Sequence, residues 1–343
     1  MKINRILVEM NTISFSSCTV FVFFLSVYAS EQTYFLNKDY ISTINSVAKT
    51  WKAGINFHPE TPLKFILGLL GSKGVGVSYT GPFKLHDPLY KPTESIPKEF
   101  DARKRWKNCT TIGTIRDQGN CGSCWAFSTS GAFADRLCIA SNGKFNQLLS
   151  AEQVTSCCRR CGLGCQGGYP IRAWRYYSQK GLVTGGHFNS FEGCQPYMFP
   201  PCSANNSCSG QPERNHKCVK KCYGNTSISY RNDFRYVEGW PYVLAYENMQ
   251  NDIMTYGPIE SSFDVYSDFI SYKSGVYSKS PNATYLGGHS VKCIGWGVER
   301  NVSYWLMMNS WNSTWGDRGY FKIRKGTNEC QIEDSSTAGV PEY

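Results

Sequence analysis

Ile41, Ile44, Val47, Ala48 and Trp51 recur at helical spacing and predict a short amphipathic helix near the N-terminal end of the chain. Beyond it lie a compact aromatic motif, Trp51-Lys-Ala-Gly-Ile-Asn-Phe57, and a run, Gly68-Leu-Leu-Gly-Ser-Lys-Gly-Val-Gly76, too glycine-rich for a regular element. From Cys124 to about residue 141 there is no proline. Trp125, Phe133, Leu137 and Ile139 give this run an apolar face, so it reads as a helix that Asn142-Gly143 ends. Ser150-Ala-Glu-Gln153 predicts a second start, because a serine can cap while a Gln follows three residues on. Residues 157–222 are loop-rich and dense in cysteine. After residue 230 the period changes. Short apolar and aromatic runs at 256–265, 290–295, 303–308 and 319–323 read as strands. A helical half thus precedes a strand-rich half, which is an α+β order, with no internal repeat and no low-complexity tract.

Composition adds a compartment. The chain of 343 residues carries 16 cysteines, a number suited to an oxidising environment. Lys2 and Arg5 precede an apolar run at 18–28, and Ala29-Ser30 supplies small residues, so residues 1–29 read as a secretory signal peptide. That run is shorter than the roughly 20 residues a membrane span needs, and no later stretch could serve as a stable anchor. Export or delivery to a lysosome follows, with a gut lumen among the extracellular destinations. Asn-x-Ser/Thr sites at Asn108, Asn205, Asn225, Asn282, Asn301 and Asn312 are then candidates for glycosylation. Residues 30–95 hold no cysteine, and such a stretch ahead of a cysteine-dense one reads as a separate, removable unit. The net charge of +10 is scattered rather than clustered, which fits a solvated basic surface and not a nucleic-acid site.

The chemistry concentrates in Gln118-Gly-Asn-Cys-Gly-Ser-Cys-Trp-Ala-Phe127. A thiol becomes a good nucleophile on losing its proton, and Cys124 at a helix start faces unpaired N–H groups that favour the thiolate. His289, after Gly287-Gly288 and before a strand, is the best base among five histidines. His58 and His86 fall in the N-terminal unit, and His187 and His216 fall among the cysteine-rich loops. Asn309 would hold the imidazole in its working tautomer, with Trp311 shielding that hydrogen bond. Gln118 and the Cys124 backbone N–H would receive a developing oxyanion. The CxxC spacings at Cys121/Cys124 and Cys158/Cys161 also match half-sites for zinc, but disulfides suit a secreted chain better, so no metal and no cofactor is expected. A thioredoxin-like reading of the first pair lacks its βαβ setting.

Cys121-Gly-Ser-Cys124-Trp125, with His289 and Asn309 far downstream, resembles the papain superfamily, and in particular its cathepsin B-like cysteine proteases. Phe100-Asp-Ala-Arg103, Ile115-Arg-Asp-Gln-Gly119, Cys165-Gln-Gly-Gly-Tyr-Pro170, Gly181-Leu-Val-Thr-Gly-Gly186, Val265-Tyr-Ser-Asp-Phe269 and Gly295-Trp-Gly297 extend the likeness over nearly all of the chain after the signal. The resemblance implies a two-lobed fold, with a helical left lobe at about 96–230, a β-barrel-like right lobe at about 231–343, and the active-site cleft between them. It implies an inhibitory propeptide at 30–95, removed near Ile96 to give the mature peptidase 96–343. It further implies the bridges Cys109–Cys138, Cys121–Cys165, Cys157–Cys218, Cys158–Cys161, Cys194–Cys222 and Cys202–Cys208, leaving Cys124, Cys293 and Cys330 unpaired.

Gly167 and Gly168 would pair with a substrate backbone. Tyr169, Pro170, Ser262, Ser290 and Ser335 would line the pocket for the second residue before the scissile bond. Vertebrate relatives carry Glu where Ser335 stands, so a weaker preference for Arg is expected. The segment 202–208 lacks the paired histidines with which relatives hold a C-terminal carboxylate, although His216 lies close by in sequence. Mainly endopeptidase activity is therefore expected, with weak release of C-terminal dipeptides. Peptides and proteins are the implied substrates, with cystatin-type inhibitors as further partners. The rival reading is a catalytically weak or silent relative acting as a binding or decoy protein, and the bulky Met307-Met308 before Asn309 is its one support.

Overall fold

The computed structural model describes residues 34–76, 84–85, 95–202 and 213–343. The apolar run at 18–28, His86, Asn205 and Cys208 lie outside these residues. The chain begins with a 3-10 turn, Tyr34–Leu36, and helix α1, Lys38–Val47. Asn37 caps α1 by accepting the Tyr40 N–H at 2.7 Å. As the spacing predicts, α1 buries Ile41 and Ile44. Strand β1 (Trp51–Ala53), helix α2 (Leu63–Gly68) and strand β2 (Lys84–Leu85) complete the N-terminal segment.

Strand β3 (Phe100–Asp101) and helix α3 (Ala102–Arg105) lead to the central helix α4, Cys124–Ala140. Every residue of α4 from Cys124 to Cys138 is buried. Its sequence is therefore apolar or small nearly all round, as a helix inside a protein must be. Helix α5 (Ala151–Cys157) starts where the capping pattern predicts, with Ser150 Oγ accepting the Gln153 N–H at 2.9 Å. Helix α6 (Pro170–Lys180) follows, with proline at its first position.

The second half holds β4 (Tyr242–Leu244), helix α7 (Tyr246–Tyr256), β5 (Ile259–Tyr266), β6 (Tyr272–Tyr277), β7 (Tyr285–Glu299), β8 (Val302–Met308), β9 (Tyr320–Arg324) and β10 (Ser336–Ala338). The run read as a strand at 256–265 is in fact divided. Tyr256 closes α7, and Gly257, at φ 105°, turns the chain into β5. Polar Glu247, Asn248, Gln250 and Asn251 kept α7 from being recognised, since only Met249, Asp252 and Ile253 of it are buried.

The strands form one ten-stranded sheet in the order β1-β6-β9-β8-β7-β5-β10-β4-β2, with β3 also pairing to β7. Both strands that end this order, β1 and β2, come from the N-terminal segment, which thereby covers edges that would otherwise expose unpaired N–H and C=O groups. The segment also shares the sheet's core. Phe35, Leu36, Ile44, Trp51, Phe65 and Ile66 pack in one apolar cluster with Phe263, Phe269, Tyr272, Trp315 and Phe321. A second cluster fills the helical half around Trp125, Phe133, Leu137, Trp174 and Tyr177.

Among the described residues, two buried ion pairs join the halves. Lys292 in β7 meets Asp135 in α4 at 2.5 Å, and Arg136 of α4 meets Asp252 of α7. Removing one member of such a pair would strand a buried charge, at a cost of about 3–5 kcal/mol.

Five disulfides join described residues: Cys109–Cys138, Cys121–Cys165, Cys157–Cys218, Cys158–Cys161 and Cys194–Cys222. Cys202 is also disulfide-bonded, with its partner outside the described residues. Cys124, Cys293 and Cys330 are free thiols.

Candidate active site

Cys124 is the first residue of α4, so its side chain stands at the amide end of a seventeen-residue helix. The other elements of the site come from strands. His289 lies in β7, and Asn309 directly follows β8, which pairs antiparallel with β7. His289 Nε2 and Asn309 Oδ1 are 2.8 Å apart, and the same oxygen accepts the Ser310 N–H at 2.8 Å. The Trp311 ring lies 4.6 Å from the imidazole, centroid to centroid, and closes this hydrogen bond off from water. The backbone N–H of Ser290, the next residue after His289, faces the Cys124 thiol, so α4 and β7 bring the two together.

Gln118 lies in the loop before α4 and is fully buried. Its Nε2 donates to the Cys121 carbonyl at 2.8 Å, while its Oε1 accepts from Ser310 Oγ at 2.7 Å. The second Nε2 hydrogen points at the Leu69 carbonyl, 2.9 Å away. The N-terminal segment therefore occupies the cleft. Gly71 N–H donates to Cys124 Sγ at 3.3 Å, and the Gly71 carbonyl accepts the Gly168 N–H at 2.9 Å. Lys73 N–H reaches the Gly168 carbonyl, and Ser72 N–H reaches the Gly288 carbonyl at 3.0 Å. Only glycine suits position 71, because a Cβ there would sit 1.8 Å from the Gly122 carbonyl oxygen.

This covering sets the protonation of the pair. Burial pushes the Cys124 thiol up to about 12, against the pull of the Ser290, Gly71 and Trp125 amides. Burial pushes the His289 imidazole down to about 4, opposed by its hydrogen bond to Asn309. With the segment in place, thiol and imidazole are both neutral near pH 7, rather than the ion pair that the sequence motif leads one to expect.

The residues expected to bind substrate surround the same segment. Gly167, at φ 96°, and Gly168 have no room for a side chain; a Cβ would meet the Gly71 carbonyl oxygen at 2.6 Å and the Trp125 ring at 2.6 Å, respectively. Tyr169 and Pro170 open α6. Ser262 Oγ lies 2.7 Å from Ser72 Oγ, and Ser335 Oγ accepts the Gly76 N–H at 3.2 Å. Ser290 Oγ instead faces Ser128 Oγ at 2.7 Å.

His216 is engaged elsewhere. Its Nδ1 is 3.0 Å from Glu152 Oε1 on α5, and its ring stacks on Phe199 at 4.1 Å. Apart from Cys202, the segment 202–208 lies outside the described residues. One residue escaped the sequence reading. Glu260 is fully buried and accepts from Ser262 Oγ at 2.7 Å and Ser290 Oγ at 2.6 Å, and from Thr337 Oγ1. The available signal was a lone charge in the buried run that becomes β5.

The candidate site thus joins a thiol at a helix N-terminus, a histidine hydrogen-bonded to an amide, a buried glutamine amide, and a cleft occupied by the chain's own N-terminal segment. The profile described as papain family cysteine protease matches residues 96–340, and that described as peptidase family C1 propeptide matches 36–76. The chain belongs to the papain family of cysteine proteases.

Relatives place it further. It is 43% identical over 316 residues to "Cathepsin B-like cysteine proteinase 5" of Caenorhabditis elegans, covering 88% of this chain and 89% of that one. It is 40% identical over 314 residues to a "Cathepsin B-like cysteine proteinase" of Schistosoma japonicum, covering 89% and 91%. Among solved structures, "proCathepsin B S9 from Trypanosoma congolense" superposes with a TM-score of 0.78 at 33% identity, covering 90% of this chain and 99% of that one. The protein is thus a cathepsin B-like cysteine-type peptidase with a papain-like fold and a propeptide, made as a zymogen.

Proposed function

We propose that Cys124 is the nucleophile of an endopeptidase, that His289 is its general acid and base, that Asn309 orients His289, and that Gln118 with the Cys124 N–H stabilises the oxyanion. Removal of the propeptide lets water reach both buried groups, and the Cys124 proton passes to His289. The thiolate then attacks the peptide carbonyl carbon. The oxyanion forms at Gln118 Nε2, where the Leu69 carbonyl rests in the zymogen. His289 gives its proton to the departing amine, and the acyl-enzyme remains. Water, deprotonated by His289, releases the acyl group and restores the thiol.

The observation that carries this reading is the propeptide's hold on the site: one short stretch places a carbonyl on the Gln118 amide and an N–H on the Cys124 sulfur. Gly167, Gly168, Tyr169, Pro170, Ser262, Ser290 and Ser335 form the substrate-binding wall. Residues 1–29 act as the secretory signal, 30–95 are removed near Ile96, and the matured peptidase works in a lysosome or outside the cell. Among the described residues no helix is long and apolar enough to cross a membrane. Cystatin-type inhibitors would enter the same cleft. Release of C-terminal dipeptides is weak, because His216 is tied to Glu152 rather than free to bind a carboxylate.

Matured protein is expected to hydrolyse internally quenched peptides, and Cys124→Ala to lower kcat/KM by at least about 10⁴-fold. Hydrolysis that survives this change would overturn the assignment. Dipeptide release matching internal cleavage in rate would overturn the endopeptidase reading alone.

A further inference from the structure

We propose that a cavity in the helical half, between the loop 186–193 and the turn at Asn225, is a carbohydrate-binding site. Its occupant is the innermost sugars of an N-linked glycan carried by Asn225 itself. The proposal goes beyond the peptidase reading and rests only on residues 1–29 being a secretory signal.

The cavity measures about 520 Å³, and Asn146, Gln147, His187, Phe191, Glu192 and Asn225 stand on its walls. That volume falls within the roughly 300–1,000 Å³ of small-molecule sites. It shares no residue with the catalytic site. Two chemistries meet on its walls. The side chains of Gln147, His187 and Glu192 make no hydrogen bond to any described residue, which leaves an amide, an imidazole and a carboxylate for a ligand. Beside them Phe191, 82% exposed, offers a flat apolar face. A wholly apolar ligand would leave Gln147 and Glu192 without partners. An anionic ligand would meet the Glu192 carboxylate. A pyranose ring suits both walls, because its hydroxyl and acetamido groups donate and accept while its C–H face lies flat on an aromatic ring.

The source of the sugar follows from Asn225. It heads the sequon Asn225-Thr-Ser227 and itself lines the cavity. Its turn is pinned to the opposite wall. The Asn225 N–H donates to the Gly193 carbonyl at 2.9 Å, the Tyr223 N–H donates to the Cys194 carbonyl at 3.0 Å, and the Cys194–Cys222 bridge ties the two loops. Asn225 Oδ1 accepts from the Ser227 N–H at 3.1 Å and from Ser227 Oγ at 2.6 Å. Asn225 Nδ2, by contrast, makes no hydrogen bond to any described residue. The atom that carries a glycan is therefore the free end of an otherwise fixed amide. Attachment joins this nitrogen to C1 of an N-acetylglucosamine donated as a lipid-pyrophosphate oligosaccharide. The N–C1 bond forms, the C1–O bond to the pyrophosphate breaks, the lipid pyrophosphate leaves, and one amide proton is lost. A sugar tethered at the rim has an effective concentration of roughly millimolar order, so it fills the cavity ahead of dilute free sugars.

The test uses the full chain secreted by a eukaryotic host and kept folded during treatment with peptide N-glycosidase F. Release converts Asn to Asp, so peptide mass mapping reads each sequon separately. Phe191→Ser removes the aromatic wall, and Glu192→Gln independently removes the carboxylate. Both side chains are exposed, and the matured variants should keep wild-type kcat/KM. Release from Asn225 is expected to be at least about fivefold slower in wild type than in Phe191→Ser, the protection given by an effective concentration several times the sugar's Kd. Glu192→Gln should accelerate release in the same direction. Where Asn301 is modified, in the exposed turn after β7, its release should not change.

Release from Asn225 at one rate in wild type and in both variants overturns the proposal, since the turn and not the cavity would then set it. Protection at Asn108 instead also overturns it, because Thr110 of that sequon bonds Asn146 in the same cavity. An unmodified Asn225 on a chain glycosylated elsewhere overturns it and leaves the secretory reading standing. Sugar at no sequon sinks both, so the two failures are distinguishable.

Discussion

Every disulfide formed between described residues lies between Cys109 and Cys222, in the helical and loop-rich half. The sheet half keeps Cys293 and Cys330 as thiols and packs Phe263, Phe269, Trp311, Trp315 and Phe321 against one another at ring separations of about 5–6 Å. The reason lies in how each half can bury surface. Among the described residues, 181–202 and 213–229 carry no helix or strand, so loops there have few ladder hydrogen bonds, and covalent links limit the freedom of the unfolded chain instead. A continuous sheet with aromatic side chains on its face needs no such links. The propeptide follows the same division. It adds strands and Trp51 to the sheet half, then reaches the helical half at Gly168, Gln118 and Cys124.

The largest expected effect concerns the junction of the two halves. A thiol whose pKa is raised to about 12 stays protonated at all lower pH, so thiolate appears only when the segment leaves or the medium becomes strongly alkaline. At pH 7 iodoacetamide should alkylate Cys124 of the zymogen more than about a thousandfold more slowly than that of the matured enzyme. Equal rates would show that the propeptide does not set the thiol's state.

Next comes a direct comparison of the halves. Trp315→Ala, in the sheet core, should destabilise by about 3–5 kcal/mol whether or not reductant is present. Replacing both Cys194 and Cys222 by Ala should cost about 2–4 kcal/mol under oxidising conditions and almost nothing in reductant. Thermal unfolding of both variants, with and without dithiothreitol, would break the comparison if the reductant dependence were reversed.

Glu260 offers a pH-dependent effect of similar or smaller size. Burial raises its pKa to about 7, opposed by its hydroxyl partners. Between about pH 4.5 and 7 the folded state therefore holds a proton that the unfolded state has released, and stability falls as pH rises through this window. Glu260→Gln should flatten that slope in urea titrations, and a slope as steep as wild type would refute the assignment. The smallest effect belongs to the helical half. Ser150→Ala removes the cap of α5 and should cost about 1 kcal/mol in the same titrations.

Most of the site was legible because its chemistry is carried by local strings. Cys124 begins a helix whose proline-free, small-residue sequence announces it, and His289 and Asn309 stand beside strand-like runs. Helix α7 was missed because its exposed polar face leaves only three buried residues to mark a period. The division of the run at 256–265 depended on Gly257, whose positive φ is invisible to apolar patterning.

The sequence by itself determined the two kinds of half, the peptidase family, and the candidate nucleophile with its candidate partners, because periodicity and short-range residue chemistry specify these. Only the tertiary structure decided that the N-terminal segment supplies both end strands of the sheet, that its Leu69 and Gly71 sit on Gln118 and Cys124, and that Glu260 lies behind Ser262 and Ser290. These depend on which distant segments share a hydrogen bond or are shut away from water together, and pairing across more than a hundred residues leaves no mark in local sequence.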